Sequence, residues 1–199
     1  MIKNLLLSTI LAILCFSQKS QAQSDYLINI GIKDSLNSAV LGESREFFVD
    51  LPESYVEGSD TKYPVVYILD GGVMLNAVHT VHSYYSGGFM PEMILIGISN
   101  AENRTRDLTT SELSERRGQE YHQENGGAEK FTKFIQSELI PFVEDKYHVT
   151  DYRTLIGHSY GGLFTVNMLL KHTDAFENYL AIDPSMDWDE QKLLQESKE

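Results

Sequence analysis

Gly157-His158-Ser159-Tyr160-Gly161-Gly162 constrains this chain more than any other segment. Arg153-Thr154-Leu155-Ile156 before it reads as a short apolar strand, and Leu163 to Leu170 after it as a buried helix. A serine between glycines, at a sharp strand-to-helix turn, is the pattern of a nucleophile elbow. Gly157 and Gly161 stand where a side chain would collide with the strand or the helix, and Gly162 adds a third small residue. A serine hydroxyl attacks a carbonyl only when a base takes its proton and a third group orients that base. Only 40 residues follow Ser159, and their one histidine is His172.

The remaining pattern predicts strands alternating with helices. Tyr26 to Ile32 and Arg45 to Leu51 read as antiparallel edge strands joined around Leu36 to Gly42. Val65 to Leu69 is continuously apolar, as in a parallel strand covered on both faces. Asp70-Gly71-Gly72 ends it, and Val73 to Tyr85 is expected to be helical. Met93 to Ile98 is a second buried strand. Ser99 to Gly126 is long, polar and irregular. Gly127 to Tyr147 places Phe131, Phe134, Ile135, Leu139, Phe142 and Val143 on one helical face, with Pro141 expected to kink or break it. A last strand is expected at Tyr179 to Ile182 and a short helix after Asp189. This is the order of a doubly wound α/β sheet. On this reading the chain stops about two strands before a complete hydrolase sheet would.

The N-terminus reads as an export leader. Lys3 precedes the apolar run Leu5 to Phe16, and Ser20-Gln21-Ala22 offers the small residues of a cleavage site. Cleavage after Ala22 would leave 23–199 as the folded domain, secreted or periplasmic and without a membrane span. It would also remove Cys15, the only cysteine, and take the net charge from −13 to about −15. Such acidity argues against nucleic acid and anionic membranes as partners. The sequence leaves the oligomeric state open.

The chemistry calls for oxyanion donors and a base. The backbone N–H of Tyr160 is expected to be one donor and the turn at Gly72 to provide the other. His172 lies about 20 Å along the helix from Ser159 and is expected to be a helix C-terminal cation. His158 is expected to line the pocket or to pack, and His148 to be structural. His79 and His82 lack a third ligand at useful spacing, so no metal is expected. His122 lies in the long loop. Asp183 and Asp187 follow the last strand, at the sheet edge where active sites gather, and Trp188 is a candidate pocket wall or packing residue. No cofactor is required.

Four segments in order, Tyr63 to Gly71, Pro91 to Ile98, Asn103 to Thr109 and Gly157 to Gly162, resemble the esterase family of α/β-hydrolases. That family includes enterochelin and other siderophore esterases, esterase D, feruloyl esterases and mycolyltransferases. The resemblance runs from about Arg45 to Leu194 and is nearest to the bacterial siderophore-esterase branch. It implies an α/β-hydrolase fold, a small ester or siderophore-like substrate, Ser159 as nucleophile, and Gly72 and Tyr160 as oxyanion donors. It also implies an acid and a histidine on two further strand ends, for which this sequence offers no segment. A fragment of a longer product, a gene ended early, and a protein that binds without hydrolysing all remain open.

Overall fold

The computed structural model describes residues 30–198. The leader at 1–22 and most of the strand expected from Tyr26 lie outside them. From Gly31 onward the chain forms one contact unit. Its centre is the pair of apolar runs at β3 (Tyr63–Ile68) and β4 (Ile94–Ile98). Every residue of β4 is buried, as are all of β3 except Pro64. Burial on both faces is why these strands carry no alternation.

The sheet order places β4 on one side of β3 and β7 (Val149–His158) on the other, all parallel. Strand order therefore reverses around β3, and crevices open at the C-terminal strand ends beside such a reversal. β8 (Asn178–Ile182) adds in parallel to β7 and is the last strand of the sheet among the described residues. β1 (Ile32–Ser38) and β2 (Glu43–Asp50) form an antiparallel pair, joined to the sheet through β2 and β4. Edge pairing and direction match the sequence reading; the placement of the first strand does not. The strand begins at Ile32, where the earlier segment was expected to end; only Ser38 of its seven residues is buried, so its sequence carries little apolar pattern to read. Its turn is correspondingly short, closing at Gly42 with φ 77°.

α1 (Gly71–Tyr85) connects β3 to β4 and crosses β4 at backbone contact. A Cβ added to Gly71 would lie 2.2 Å from the Gly97 carbonyl carbon. The long polar loop is more ordered than its sequence suggests. It holds α2 (Arg104–Leu108) and a small hairpin of β5 (Glu115–Arg116) and β6 (Gln119–Glu120). The hairpin turns at Arg117 and Gly118, both at positive φ, the geometry that suits a two-residue connection.

Pro141 does not break its helix. α3 (Ala128–Phe134) runs through a π-helical turn at Ile135–Leu139 into α4 (Ile140–Lys146). Across that turn the Ile140 N–H reaches back five residues to the Ile135 carbonyl. The wider turn accommodates the proline ring and its missing donor. Phe131, Phe134, Ile135, Leu139 and Val143 are fully buried as the periodicity predicts. Phe142 is only partly buried and meets Phe47 edge-on at 5.7 Å. α5 (Tyr160–Lys171) packs on β7 and β8, and a 3-10 turn (Trp188–Gln191) leads into α6 (Lys192–Glu196).

Two neighbouring glycines separate packing from openness. Gly71→Ala is expected to cost about 1–3 kcal/mol by overpacking against Gly97, at about 2–4 °C of Tm per kcal/mol. Gly72→Ala, where an added Cβ meets nothing within 4 Å, should leave Tm unchanged. Thermal melts of the two variants check this.

Candidate active site

The elbow forms where β7 runs into α5. Ser159 has φ 57° and ψ −114°, a region L-residues rarely occupy, and it is held there on both sides. Its N–H donates to the Ile182 carbonyl at 3.1 Å, and its carbonyl accepts from Leu163 at 2.9 Å and Ser185 at 3.0 Å. Gly157 and Gly162 are required by contact, whereas a Cβ on Gly161, which the sequence reading placed in that role, would come no nearer than 3.3 Å, to Leu69 Cβ. A Cβ on Gly157 would sit 2.2 Å from the Gly161 carbonyl oxygen, and one on Gly162 would sit 2.9 Å from Pro184 Cα.

Two helix N-termini meet at this end of the sheet. Tyr160 opens α5, and Gly71 and Gly72 open α1, so their N–H groups have no acceptor within their own helices. Gly72 and His158 line one cavity of about 270 Å³, together with Asp70, Val73, Met74 and Arg104. Ser159 and Tyr160 adjoin this cavity through His158 in the chain and do not line it.

The two turns are tied together by Arg104 of α2. Its Nε and one terminal nitrogen each lie 2.9 Å from a different oxygen of Asp70, a bidentate pair. Its guanidinium also lies 5.2 Å from the Tyr160 ring centroid and 3.4 Å from the His158 carbonyl oxygen. Asp70 takes a left-handed conformation, φ 54°, and its N–H donates to Asn100 Oδ1 at 3.1 Å. Tyr160 is gripped from its other side by Arg116, which donates to its hydroxyl and stacks 4.9 Å over Trp188. Burial pushes the Tyr160 phenol upward, with Arg116 opposing it.

α2 is held in turn by buried charge. Arg106 and Arg45 both reach Glu43, and Arg45 lies 2.8 Å from Asp107, which is 1% exposed. The Arg106 hydrogen bond, with help from Arg45, brings the Glu43 carboxyl down to about 2. Burial acts the other way on Asp107 and raises it despite its two arginines.

The other sequence candidates spread out. Trp188 is 1% exposed, packs edge-on against Tyr160 at 5.5 Å, and donates to the Ser111 carbonyl. It supports Tyr160 from behind and does not line the cavity. Asp187 is exposed and paired with Arg117 and Arg116, which lower its carboxyl; Arg117 contributes most. Asp183 is exposed at φ 42°. His158 is exposed and lines the cavity. His172 caps α5 with Nε2 3.5 Å from Glu129, and His122 is a surface residue beside Glu120. His148 packs beside Tyr55. His82 accepts the Met93 N–H. Among the described residues, the side chain that meets Ser159 Oγ is Ser185, hydroxyl to hydroxyl at 3.1 Å. The sequence reading missed Ser185, Arg104, Asp70 and Asn100. Arg104 lay within the Asn103–Thr109 segment that carried the resemblance, but without a role.

The fold is that of an α/β-hydrolase. The family model "Putative esterase" matches residues 38–196, and the chain belongs to that family. Ferri-bacillibactin esterase BesA of Bacillus subtilis is 35% identical over 170 residues, covering 78% of this chain and 59% of the relative. An IroE-like serine hydrolase of Shewanella oneidensis superposes with TM-score 0.76 at 35% identity, over 83% of this chain and 55% of that one. The BES protein of Bacillus cereus gives TM-score 0.76 at 26% identity, over 86% and 69%. The chain thus spans 59% of BesA and 55% of the Shewanella protein.

The charge network predicts an acid-sensitive anchor. Glu43 has a folded value below its ordinary 4.5, so the unfolded state binds more protons between about pH 4.5 and 2. Its contribution is present above pH 4.5 and is lost as pH falls toward 2. Glu43→Gln should cost about 2–3 kcal/mol at neutral pH, allowing for its partial exposure. The gap to the unmodified chain should close as pH falls through that window in denaturant titrations.

Proposed function

We propose that this protein is an exported carboxylic-ester hydrolase of the siderophore-esterase type, with Ser159 as nucleophile. The observation that carries this reading is Ser159 itself, held at φ 57° on an elbow beside the unshared N–H groups of Tyr160 and Gly72. In the proposed step Ser159 Oγ attacks the ester carbonyl. The Tyr160 and Gly72 N–H groups donate to the oxygen as its charge develops, and removing one such donor elsewhere costs about 10²–10³ in rate. The cavity beside Gly72 is walled by Val73 and Met74 and takes one side of the ester. A small ester or siderophore-like compound is the substrate class that the named relatives support.

A second reading rests on one observation. The hydroxyl partner of Ser159 is Ser185, and a serine cannot serve as a base at neutral pH. On that reading the chain holds the ester and turns it over slowly or not at all. Where the base is absent, catalysis of about 10³–10⁴ over water survives from the oxyanion hole and binding alone, and further loss of the nucleophile changes little.

Hydrolysis of p-nitrophenyl butyrate by the full chain beside Ser159→Ala separates the two. The esterase reading expects turnover that falls at least about 100-fold in Ser159→Ala. Equal rates would give the site to binding without hydrolysis. Export is supported by Lys3, the Leu5 to Phe16 run and Ser20-Gln21-Ala22. The N-terminal sequence of protein recovered outside the cytoplasm is expected to begin at Gln23; an intact Met1 would remove export from the proposal.

A further inference from the structure

Among the described residues, Ser159 Oγ meets another serine hydroxyl and no imidazole. Elsewhere the molecule holds the converse, a serine with base and acid in line. Asp50 ends β2, and His79 and Ser83 lie four residues apart on α1, one turn above each other on the same face. Asp50 Oδ2 is 2.6 Å from His79 Nδ1, and His79 Nε2 is 3.2 Å from Ser83 Oγ. In the neutral tautomer that donates Nδ1–H to the carboxylate, Nε2 carries the lone pair and faces the serine hydroxyl. Nucleophile, base and orienting acid in this sequence of hydrogen bonds are what an activated serine requires.

Two further observations set Ser83 apart. Helical hydroxyls commonly bond back to a carbonyl three or four residues earlier. Thr80 does so to Asn76 at 2.8 Å, whereas Ser83 turns to the imidazole. The three residues also line one cavity, of about 500 Å³, with His82, Ser86 and Glu92. In it Asp50 is only 15% exposed and His79 31%, while Ser83 is open to solvent. Asp50 pairs with Leu95 near the start of β4, so this cavity lies at the opposite end of the sheet from Ser159.

We propose that Ser83, His79 and Asp50 form a second nucleophilic site, which takes an acyl group from small activated esters. Ser83 Oγ bonds to the ester carbonyl carbon while its proton passes to His79 Nε2. Asp50 holds the resulting imidazolium. The bond from that carbon to the leaving oxygen breaks, the leaving group takes the proton from His79, and an ester on Ser83 remains with the free alcohol. General-base assistance contributes about 10²–10⁴. Ser83 lies inside α1, past the first turn whose N–H groups are unshared, so its own helix backbone offers no oxyanion donor. The site therefore acylates once and hydrolyses slowly.

The test uses the full chain carrying Ser159→Ala, treated with p-nitrophenyl acetate or diisopropyl fluorophosphate. In the latter the serine displaces fluoride from phosphorus. Peptide mass spectrometry then follows adducts with time. Ser83 should be modified at least about 100-fold faster than Ser86, an internal control three positions further along the helix and outside the hydrogen-bonded relay. His79→Gln and Asp50→Asn should bring Ser83 toward the Ser86 rate, with thermal melts verifying that the variants fold. If either variant unfolds, the Ser83 to Ser86 ratio alone decides. Equal rates at the two serines, or a Ser83 rate unchanged in folded His79→Gln, would overturn the proposal. Adducts at Ser159 in the unmodified chain report on the other site alone.

Discussion

The molecule turns on a contact that permits no side chain, Gly157 against the Gly161 carbonyl. The separation, 2.2 Å from an added Cβ, is well inside any real contact. It lets β7 end directly under the first turn of α5. Ser159 must then take a positive φ, its side chain leaves the sheet, and the Tyr160 N–H becomes the first unshared donor of the helix. Ile182 and Ser185 close hydrogen bonds around this strained residue. Strain of this kind persists only where the surroundings over-determine it. Here two strands, a helix and a returning loop do so.

The second turn depends on charge. Arg104 joins Asp70 to Tyr160 and the His158 carbonyl, adding a side-chain tie beyond the ends of the paired strands β3 and β7. α2 carries Arg104 and is itself fixed by Glu43, Arg45, Arg106 and Asp107. Buried ion pairs of this sort stabilise little relative to apolar packing, but losing one partner costs about 3–5 kcal/mol. Their effect here is geometric. They place a short helix, of little stability alone, where one guanidinium can reach both turns.

The sequence carried the elements whose cause is local or periodic. Val65 to Leu69 and Ile94 to Ile98 are apolar because helices and strands cover both faces. Phe131 to Val143 repeats at helical spacing because one face is core. The elbow was legible because Gly157 is forced by contacts within eight residues, with the Gly161 carbonyl and Thr165. Legibility ended where the partner is distant in sequence. Arg104 meets Asp70 across 34 residues, Ser185 meets Ser159 across 26, and His79 meets Asp50 across 29. The first strand was displaced for another reason: Ile32 to Ser38 is an edge with one partner, so half its residues face water. Pro141 was expected to kink or break a helix; it does not break it, because a π-turn accommodates the ring, and nothing in residue type announces a π-turn.

The central claim is that the elbow makes Ser159 the reacting group. Its most direct test is the site of modification when the unmodified full chain is treated with a fluorophosphonate and digested for peptide mass spectrometry. An adduct on Ser159 approaching one equivalent per chain is the predicted result. A chain that melts cooperatively, and so is folded, yet carries no adduct on Ser159 would contradict it.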